Sequence, residues 1–323
     1  MKNNFWEKLK KSGKPILALA PMAGFTDEPF RQICSAYGAD VVYSEMASAT
    51  ALYFHRENDD NETLRLLKWN EAKESKYVVQ LFGSNPDHFA VAARIITQKI
   101  KPHGIDINFG CPVGKVLKQG AGADLMRNLT RARSVIEATL ANTNLPVSVK
   151  IRAKSGEVDA VTFLKNVSDL KVSALMIHGR TLSQGFVGDP DYAIVNSARP
   201  HFHGVILING GLNDRETAKR ALEVSEADGL GLGRGALARP WLFEEIKDNR
   251  DIAYGQSEIV SLLYRHAKLV SELKGEGALV EWRKQACWSV QGLPGASRLR
   301  SRLVQVSSME DVINILNDYG LND

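Results

Sequence analysis

Short aliphatic segments alternate with longer amphipathic ones along most of the chain, and this rhythm leaves few folds open. Eight of the short segments are rich in β-branched or aliphatic residues and are predicted to be strands. They are Ile16–Ala20, Val41–Ser44, Tyr77–Phe82, Gly104–Phe109, Val147–Ile151, Ala174–His178, Val205–Asn209 and Gly229–Gly233. Regular alternation with helices favours an α/β protein with a parallel sheet. Eight units in about 245 residues are typical of a (β/α)8 TIM barrel, with a doubly wound sheet as the alternative.

Towards the C-terminus the alternation stops and the remaining segments are helix-like. Ser257–Lys274 and Leu279–Val290 have helical periodicity, and Ser308–Tyr319 begins with a serine that can cap a helix. The sequence therefore predicts a barrel domain over residues 1–247, followed by a small all-helical domain over residues 252–323.

The composition is that of an ordinary globular protein. Of the 323 residues 44% are apolar and 24% are charged. The apolar stretch Ile16–Ala20 follows basic residues but is shorter than the ~7–15 residues usual in a signal peptide, so a cytoplasmic protein without membrane spans is expected. The cysteines Cys34, Cys111 and Cys287 are widely separated, which disfavours disulfides and a metal site. The net charge of +4 permits a nucleic-acid partner without arguing for one.

Polar and reactive residues gather at the C-terminal ends of seven predicted strands, where barrel enzymes hold their active sites. They are Pro21–Gly24, Gln80, Asn108–Pro112, Lys150, His178–Arg180, Asn209–Gly211 and Gly233–Gly235. One such residue would mean little, but candidates at seven strand ends predict a site at this end of the barrel.

The glycine clusters after the last two predicted strands favour phosphate binding. Asn209-Gly210-Gly211 and Gly233-Arg234-Gly235 each fit a plain tight turn when taken alone. On consecutive barrel loops they let backbone N–H groups approach phosphate oxygens, and Arg234 adds a charged donor.

Lys150 and Arg152 lie two residues apart on one predicted strand and therefore share a face. A lysine inside a barrel mouth needs an anion or an electron-rich ring as its partner. A flavin is such a partner, because negative charge develops along one edge of its ring on reduction, and Gln80 can hydrogen-bond the same ring. A salt bridge between Lys150 and Asp106 is an equal alternative.

Cys111 lies between Gly110 and Pro112, just beyond a predicted strand. A lone cysteine is more often a small buried hydrophobe, and that interpretation holds for the other two cysteines. The position of Cys111 at the barrel mouth favours a reactive thiol instead. For His178 three roles stay open: a base, an anchor for a cofactor phosphate, or a ring that packs against the cofactor.

Motifs along almost the whole chain occur in the order found in one enzyme family. They are Leu19–Arg31, Ser44–Met46, Asp106–Pro112, Lys115–Val116, Gly120–Ala123, Val149–Arg152, Ile177–Thr181, Asn209–Gly211, Gly233–Ala236 and Arg239–Trp241. This ordered set resembles the tRNA-dihydrouridine synthases. Arg283-Lys284 followed by Trp288 is similar to the bacterial B-type subgroup.

The resemblance implies an FMN-binding barrel and a helical domain that helps to grip tRNA. It implies that NADPH reduces FMN and that a uracil ring in tRNA then receives a hydride at C6 and a proton from Cys111 at C5. Residues implied to hold FMN are Pro21, Met22, Ala23, Gln80, Lys150, His178, Asn209, Gly210, Gly211, Gly233 and Arg234. Predicted contacts with the substrate are Asn108, Arg152, Arg180, Arg283, Lys284, Arg298, Arg300 and Arg302. A monomer that holds no metal is expected.

The helical tail gives independent support for an RNA partner. Between Trp282 and Met309 there are five basic residues and no acidic one. Such a stripe suits contacts with phosphates, which supply affinity without reading sequence. A solvated charged face is the alternative.

Three other functions are compatible with parts of this pattern. An FMN barrel that reduces a free pyrimidine, as dihydroorotate dehydrogenases do, is disfavoured by the basic tail and the Arg180 motif. An RNA-binding protein without chemistry is disfavoured by Cys111, Lys150 and the glycine loops. A phosphate-binding aldolase or isomerase barrel would need a substrate-specific set of residues that the sequence does not show.

Overall fold

The computed structural model describes residues 4–58 and 61–321, and its centre is a closed barrel of eight parallel strands. The strands are β1 (Ile16–Leu19), β2 (Val41–Tyr43), β3 (Ala47–Ser48), β4 (Lys76–Phe82), β5 (Gly104–Phe109), β6 (Val147–Arg152), β7 (Lys154–Ser155), β8 (Val158–Asp159), β9 (Ala174–His178), β10 (Val205–Asn209) and β11 (Gly229–Leu232). The barrel order is β1, β2, β4, β5, β6, β9, β10 and β11, and β11 pairs back with β1. The predicted TIM barrel is confirmed, and each predicted strand is present.

Three further strands of two residues each were not predicted. Strand β3 adds to the edge of β4, and β7 and β8 form a small antiparallel hairpin. Two residues are too few for an alternation of side chains to be visible in the sequence.

Helices connect the strands and form the C-terminal region. They are α1 (Phe5–Lys10), α2 (Glu28–Ala36), α3 (Ala49–Phe54), α4 (Glu62–Leu66), α5 (Pro86–Ile95), α6 (Gly114–Leu117), α7 (Leu129–Ala141), α8 (Ala160–Val167), α9 (Ile194–Ala198), α10 (Arg215–Ser225), α11 (Arg234–Ala238), α12 (Leu242–Asp248), α13 (Gln256–Lys274), α14 (Leu279–Ser289), α15 (Ala296–Leu303) and α16 (Met309–Asn317). Short 3-10 turns lie at Leu125–Arg127, Arg199–His201 and Glu276–Ala278, and a π-turn lies at Ile96–Ile100. Asp27 caps α2 by accepting the N–H of Phe30, and Ser308 caps α16.

The barrel interior changes character from one end to the other. At the N-terminal ends of the strands it is filled by apolar side chains such as Ile16 and Val205, against which Trp6 of α1 packs. Towards the C-terminal ends it carries buried polar side chains, among them Gln80 and Asp106. Because side chains alternate along a strand, the apolar neighbours of Asp106 face the helices. The polar end is the one that opens into the site.

Helices α13 to α16 surround a second hydrophobic cluster, which includes Val260, Trp282 and Leu316 and also Ile33 of α2. A helical C-terminal region is therefore confirmed. The domain limits 1–247 and 252–323 stay a prediction, and their outermost residues, 1–3 and 322–323, lie outside the described residues. Across both described ranges, no helix has the length and apolar character needed to cross a membrane.

Candidate active site

The C-terminal ends of the barrel strands open into a cavity of about 410 Å³, within the size range of small-molecule sites. Every residue predicted to contact FMN lines this cavity, as do Cys111 and three of the predicted substrate contacts. These lining residues are Pro21, Met22, Ala23, Gln80, Asn108, Cys111, Lys150, Arg152, His178, Arg180, Asn209, Gly210, Gly211, Gly233 and Arg234. The barrel thus brings together residues that are far apart in sequence.

Several lining residues were missed by sequence reasoning. Phe186 follows β9 in a loop and is 54% exposed, and its ring lies 4.8 Å from the guanidinium carbon of Arg234. Trp288 reaches the cavity from α14. A lone aromatic residue in a loop carries no periodic signal, and Trp288 served only as a subgroup marker.

The charged groups of the cavity are of one sign. Lys150, Arg152, Arg180 and Arg234 line it, and none of the described lining residues is an aspartate or a glutamate. Such a lining favours an anionic ligand.

Lys150 is held in the cavity wall with no direct contact to a counter-ion among the described residues. Its side chain makes no hydrogen bond or ion pair with any residue in the described ranges, and burial, aided by the nearby Arg152, lowers its pKa to about 8. The alternative salt bridge with Asp106 is not formed; the Asp106 carboxylate accepts hydrogen bonds from Gln80 and Ser148, and its charge acts on Lys150 only from beyond contact distance. An anion or an electron-rich ring would satisfy this ammonium group.

His178 is neutral at physiological pH. Burial and the surrounding cations, Lys150 first among them, lower its pKa to about 2. A Cβ on Gly210 would lie 2.6 Å from the His178 ring, so the absence of a side chain at Gly210 makes room for the imidazole. A histidine this hard to protonate is a poor base but a good neutral hydrogen-bonding group, which favours the anchoring or packing roles.

Cys111 lies in a turn that is fixed by side-chain contacts. The Asn108 Oδ1 atom accepts the backbone N–H groups of Gly110 at 3.0 Å and Cys111 at 2.9 Å. Gly122 approaches so closely that a Cβ there would lie 3.0 Å from the Cys111 Cβ. Burial raises the pKa of the Cys111 thiol, so the group keeps its proton at neutral pH and can act as an acid.

Arg152 and Arg180 brace the loops around the cavity. Arg152 is 1% exposed, and its guanidinium donates to the carbonyl oxygens of Gly110, Thr181 and Gly185 at 2.8 to 3.0 Å. The Arg180 Nε donates to the Gly188 carbonyl at 2.7 Å. The structure therefore gives Arg152 a bracing role, and its predicted contact with the substrate stays a prediction.

Helix α14 connects the helical region to the cavity. Gln285 donates a side-chain hydrogen bond to the carbonyl of Phe25, which lines the cavity. On the same helix, the Lys284 Nζ lies 5.3 Å from the centre of the Phe25 ring. This contact places one predicted tRNA-binding residue at the edge of the cavity.

The remaining basic residues of the tail fall into two groups. Arg283 donates to the Val306 carbonyl, and Arg302 pairs with Asp318 at 2.6 Å. The side chains of Arg298 and Arg300 make no hydrogen bond or ion pair with residues in the described part of the chain. The structure therefore leaves these two, together with Lys284, as the cations most available to a polyanion.

A family model described as dihydrouridine synthase matches residues 18–320. The chain belongs to the dihydrouridine synthase family. The predicted family is thereby confirmed, as is the prediction that the protein is an enzyme.

Relatives of this family member cover nearly its whole length. It is 30% identical to a probable tRNA-dihydrouridine synthase of Aquifex aeolicus, over 95% of this chain and 96% of the relative. It is 33% identical to the tRNA-dihydrouridine synthase B of Pasteurella multocida, over 87% and 85% of the two chains. The predicted resemblance to B-type members is confirmed.

Solved structures share the barrel. An old yellow enzyme homologue from Zymomonas mobilis matches with a TM-score of 0.52 and 14% identity, over 74% of this chain and 90% of the other. Morphinone reductase matches with a TM-score of 0.51 and 12% identity, over 74% and 87%. At this identity the likeness shows the fold alone.

Proposed function

We propose that this protein reduces uridine in tRNA to 5,6-dihydrouridine, using bound FMN and NADPH as the reductant. Relatives that span the chain are named tRNA-dihydrouridine synthases. The observation that carries the proposal is that Cys111 and Lys150 line one cationic cavity of this family's barrel.

The cavity residues fit FMN on two counts. Lys150 has no hydrogen-bond or ion-pair partner among the described residues, and the described lining has cations but no carboxylates to repel a phosphate. Pro21, Met22, Ala23, Gln80 and Lys150 would contact the ring system, and His178, Asn209, Gly210, Gly211, Gly233 and Arg234 would hold the ring and the phosphate end. A bound FMN that NADPH has reduced would supply the hydride for C6 of uracil.

The proton for uracil C5 would come from the Cys111 thiol. Burial keeps this group protonated at neutral pH, and the Asn108 hydrogen bonds fix the turn that carries it. Positioned acids of this kind contribute roughly 10²–10⁴-fold to a rate. Because a stacked base cannot reach the cavity, the uridine must leave its stack, and Arg180 with Asn108 would face it there.

The tail would bind the tRNA backbone. Lys284, Arg298 and Arg300 are the primary contacts in this proposal, because Arg283 and Arg302 are already engaged within the chain. Contacts of this type give affinity that falls as salt rises. A monomeric state and a cytoplasmic location stay predictions.

A stopped-flow experiment tests the proposal against the free-pyrimidine alternative. The FMN-loaded protein is reduced with NADPH without oxygen, then mixed with unmodified tRNA, free uracil or orotate. We expect the visible flavin absorbance to recover after mixing with tRNA and not after mixing with free uracil or orotate. Recovery with a free pyrimidine and not with tRNA would overturn the proposal in favour of a small-molecule reductase.

A further inference from the structure

A row of buried polar side chains crosses the barrel at the floor of the cavity, which Gln80 lines. Gln80 on β4, Asp106 on β5 and Ser148 on β6 are direct neighbours in the strand register. Their exposed fractions are 1%, 0% and 1%. Burying a carboxylate is costly unless hydrogen bonds compensate it, so a core of apolar residues would be the simpler solution at this layer.

Hydrogen bonds link this row to the turn that carries Cys111. Ser148 and Gln80 donate to the two oxygens of Asp106 at 2.6 and 2.7 Å. The Asn108 Nδ2 donates to the Gln80 Oε1 at 2.8 Å. The Asn108 Oδ1 in turn accepts the backbone N–H of Cys111 at 2.9 Å. The connection from Asp106 to Cys111 is therefore continuous.

The direction of every hydrogen bond in the row follows from the Asp106 carboxylate. An ionised carboxylate accepts hydrogen bonds and cannot donate them, so Gln80 must turn its NH2 group towards Asp106. The Gln80 carbonyl then faces Asn108, which must present its own NH2 group. That leaves the Asn108 carbonyl oxygen for the Cys111 turn. Burial raises the pKa of Asp106 to about 6, so the carboxylate is ionised at pH 8.

We propose that Asp106 is a positioning residue: its carboxylate sets the orientation of the Gln80 and Asn108 amides and thereby holds the Cys111 thiol where it delivers its proton. The role rests on the proposed function. Asp106 itself does not line the cavity, so it acts through the two amides and not by touching the substrate.

Reversing the row tests this role. In Asn108→Asp, Gln80 lies between two carboxylates. Its NH2 group can donate to only one of them, and its carbonyl oxygen faces the other. In the double variant Asn108→Asp with Asp106→Asn, the new amide can donate to the Gln80 carbonyl and the row runs consistently in the opposite direction. Both variants carry the same residue 108, so any direct effect of that residue on tRNA cancels in the comparison.

The measurement is made at pH 8 on FMN-loaded protein, with FMN content and the rate of reduction by NADPH recorded beside reoxidation by tRNA. The loss of one buried hydrogen bond corresponds to about a tenfold change in rate. We therefore expect tRNA to reoxidise the double variant about tenfold faster than Asn108→Asp. Their FMN content and rates of reduction should agree. A double variant no faster than Asn108→Asp, beside an active wild-type protein, overturns the role of Asp106.

A second pair of variants tests the same role if the first pair folds poorly. Asp106→Asn keeps a carbonyl that accepts from Gln80, and Asp106→Ala keeps no acceptor. We expect tRNA to reoxidise Asp106→Asn about tenfold faster than Asp106→Ala, and equal rates overturn the inference. Wild-type protein that is reduced by NADPH but never reoxidised by tRNA would instead overturn the proposed function, so the two failures are distinguishable.

Discussion

Cys111 differs from the other two cysteines in its surroundings more than in its chemistry. Cys34 is fully buried, and burial raises its pKa far above the usual range. Cys287 is half-buried on α14 and does not line the cavity. Only Cys111 combines a protonated thiol with a cavity wall, which suits a proton donor and not a nucleophile that must be a thiolate.

Replacing Cys111 with alanine should retain FMN but slow reduction of tRNA uridine. We expect a loss of roughly 10²–10⁴-fold, the usual contribution of a positioned acid. Cys287→Ala is the matched control and should keep the wild-type rate. Turnover of Cys111→Ala close to that of the control would contradict the role of the thiol as the acid.

Lys150 should make FMN binding sensitive to alkaline pH. Its pKa of about 8 in the free protein means that the ammonium form, which an anionic ligand prefers, is lost as the pH rises through 8. FMN affinity should therefore decrease between pH 7 and about 9 in the wild-type protein. Lys150→Met should bind FMN more weakly and should not show this decrease. Titrations of flavin fluorescence would measure both, and a parallel decrease in the two proteins would exclude Lys150 as the cause.

The sequence predicts the residues that touch the cavity better than the ones that support them. Lys150, Cys111 and the glycine loops stand at strand ends and in motifs, so they can be found without coordinates. The link between Gln80, Asp106 and Ser148 depends on the register of three strands, which the sequence does not encode locally. Phe186 was missed because an exposed loop aromatic has no pattern.

Among the elements, the eight barrel strands and the C-terminal helices α13, α14 and α16 were predicted from the sequence, and α15 was missed. Barrel strands are continuous apolar runs because both faces are buried, which gives a strong signal. Helix α15 was not predicted, since Leu299 and Leu303 are its only fully buried residues among the described ones and five basic or hydroxyl residues surround them. Its position depends on packing in the hydrophobic cluster that α13 to α16 surround, which only the folded chain shows.

The packing of α13 against the barrel should be sensitive to acid through His266. Its ring lies between Phe30 of α2 and Trp282 of α14, with centroid distances of 5.8 and 6.3 Å, and its Nε2 has no partner among the described residues. Burial lowers its pKa to about 4; Asp27 opposes this shift, and Lys274 and Arg265 add to it.

In the unfolded chain this histidine takes up a proton below about pH 6.5, whereas in the folded protein it does so only near pH 4. The stabilising contribution is therefore present above pH 6.5 and is lost as the pH falls towards 4, by about 3 kcal/mol. His266→Leu should lose less unfolding free energy than the wild type between pH 7 and about 4.5 in urea titrations. Other acid-sensitive groups are common to both proteins, so equal losses would contradict this assignment.

For the whole molecule, the arrangement of charge matters more than its total. A net charge of +4 is modest, yet cations are concentrated in two places, the cavity and the C-terminal helices. Among the described residues that line the cavity there is no aspartate or glutamate. Lys284 at the edge of the cavity connects the two regions. The net charge follows from the composition. The placement of the basic C-terminal helices beside the cavity depends on how α14 packs against the barrel, which no local sequence pattern predicts.

Removing the charges of Arg298 and Arg300 should weaken tRNA binding without affecting the flavin. Arg298→Gln with Arg300→Gln should lower the slope of log affinity against log salt by about two, one for each phosphate contact. Lys219→Gln with Lys268→Gln removes the same charge from helices α10 and α13 and serves as the control. Filter binding over a range of salt would measure both, and equal slopes in the two double variants would contradict a specific tail contact.

Detection of the reaction product shows whether this cavity reduces uridine in tRNA. Purified, FMN-loaded protein is incubated without oxygen with NADPH and unmodified tRNA, and the digested nucleosides are analysed by mass spectrometry. We expect uridine that has gained two hydrogen atoms, in amounts that match the NADPH consumed, and far less of it with Cys111→Ala. Bound, reducible FMN with no change in any nucleoside would contradict this expectation.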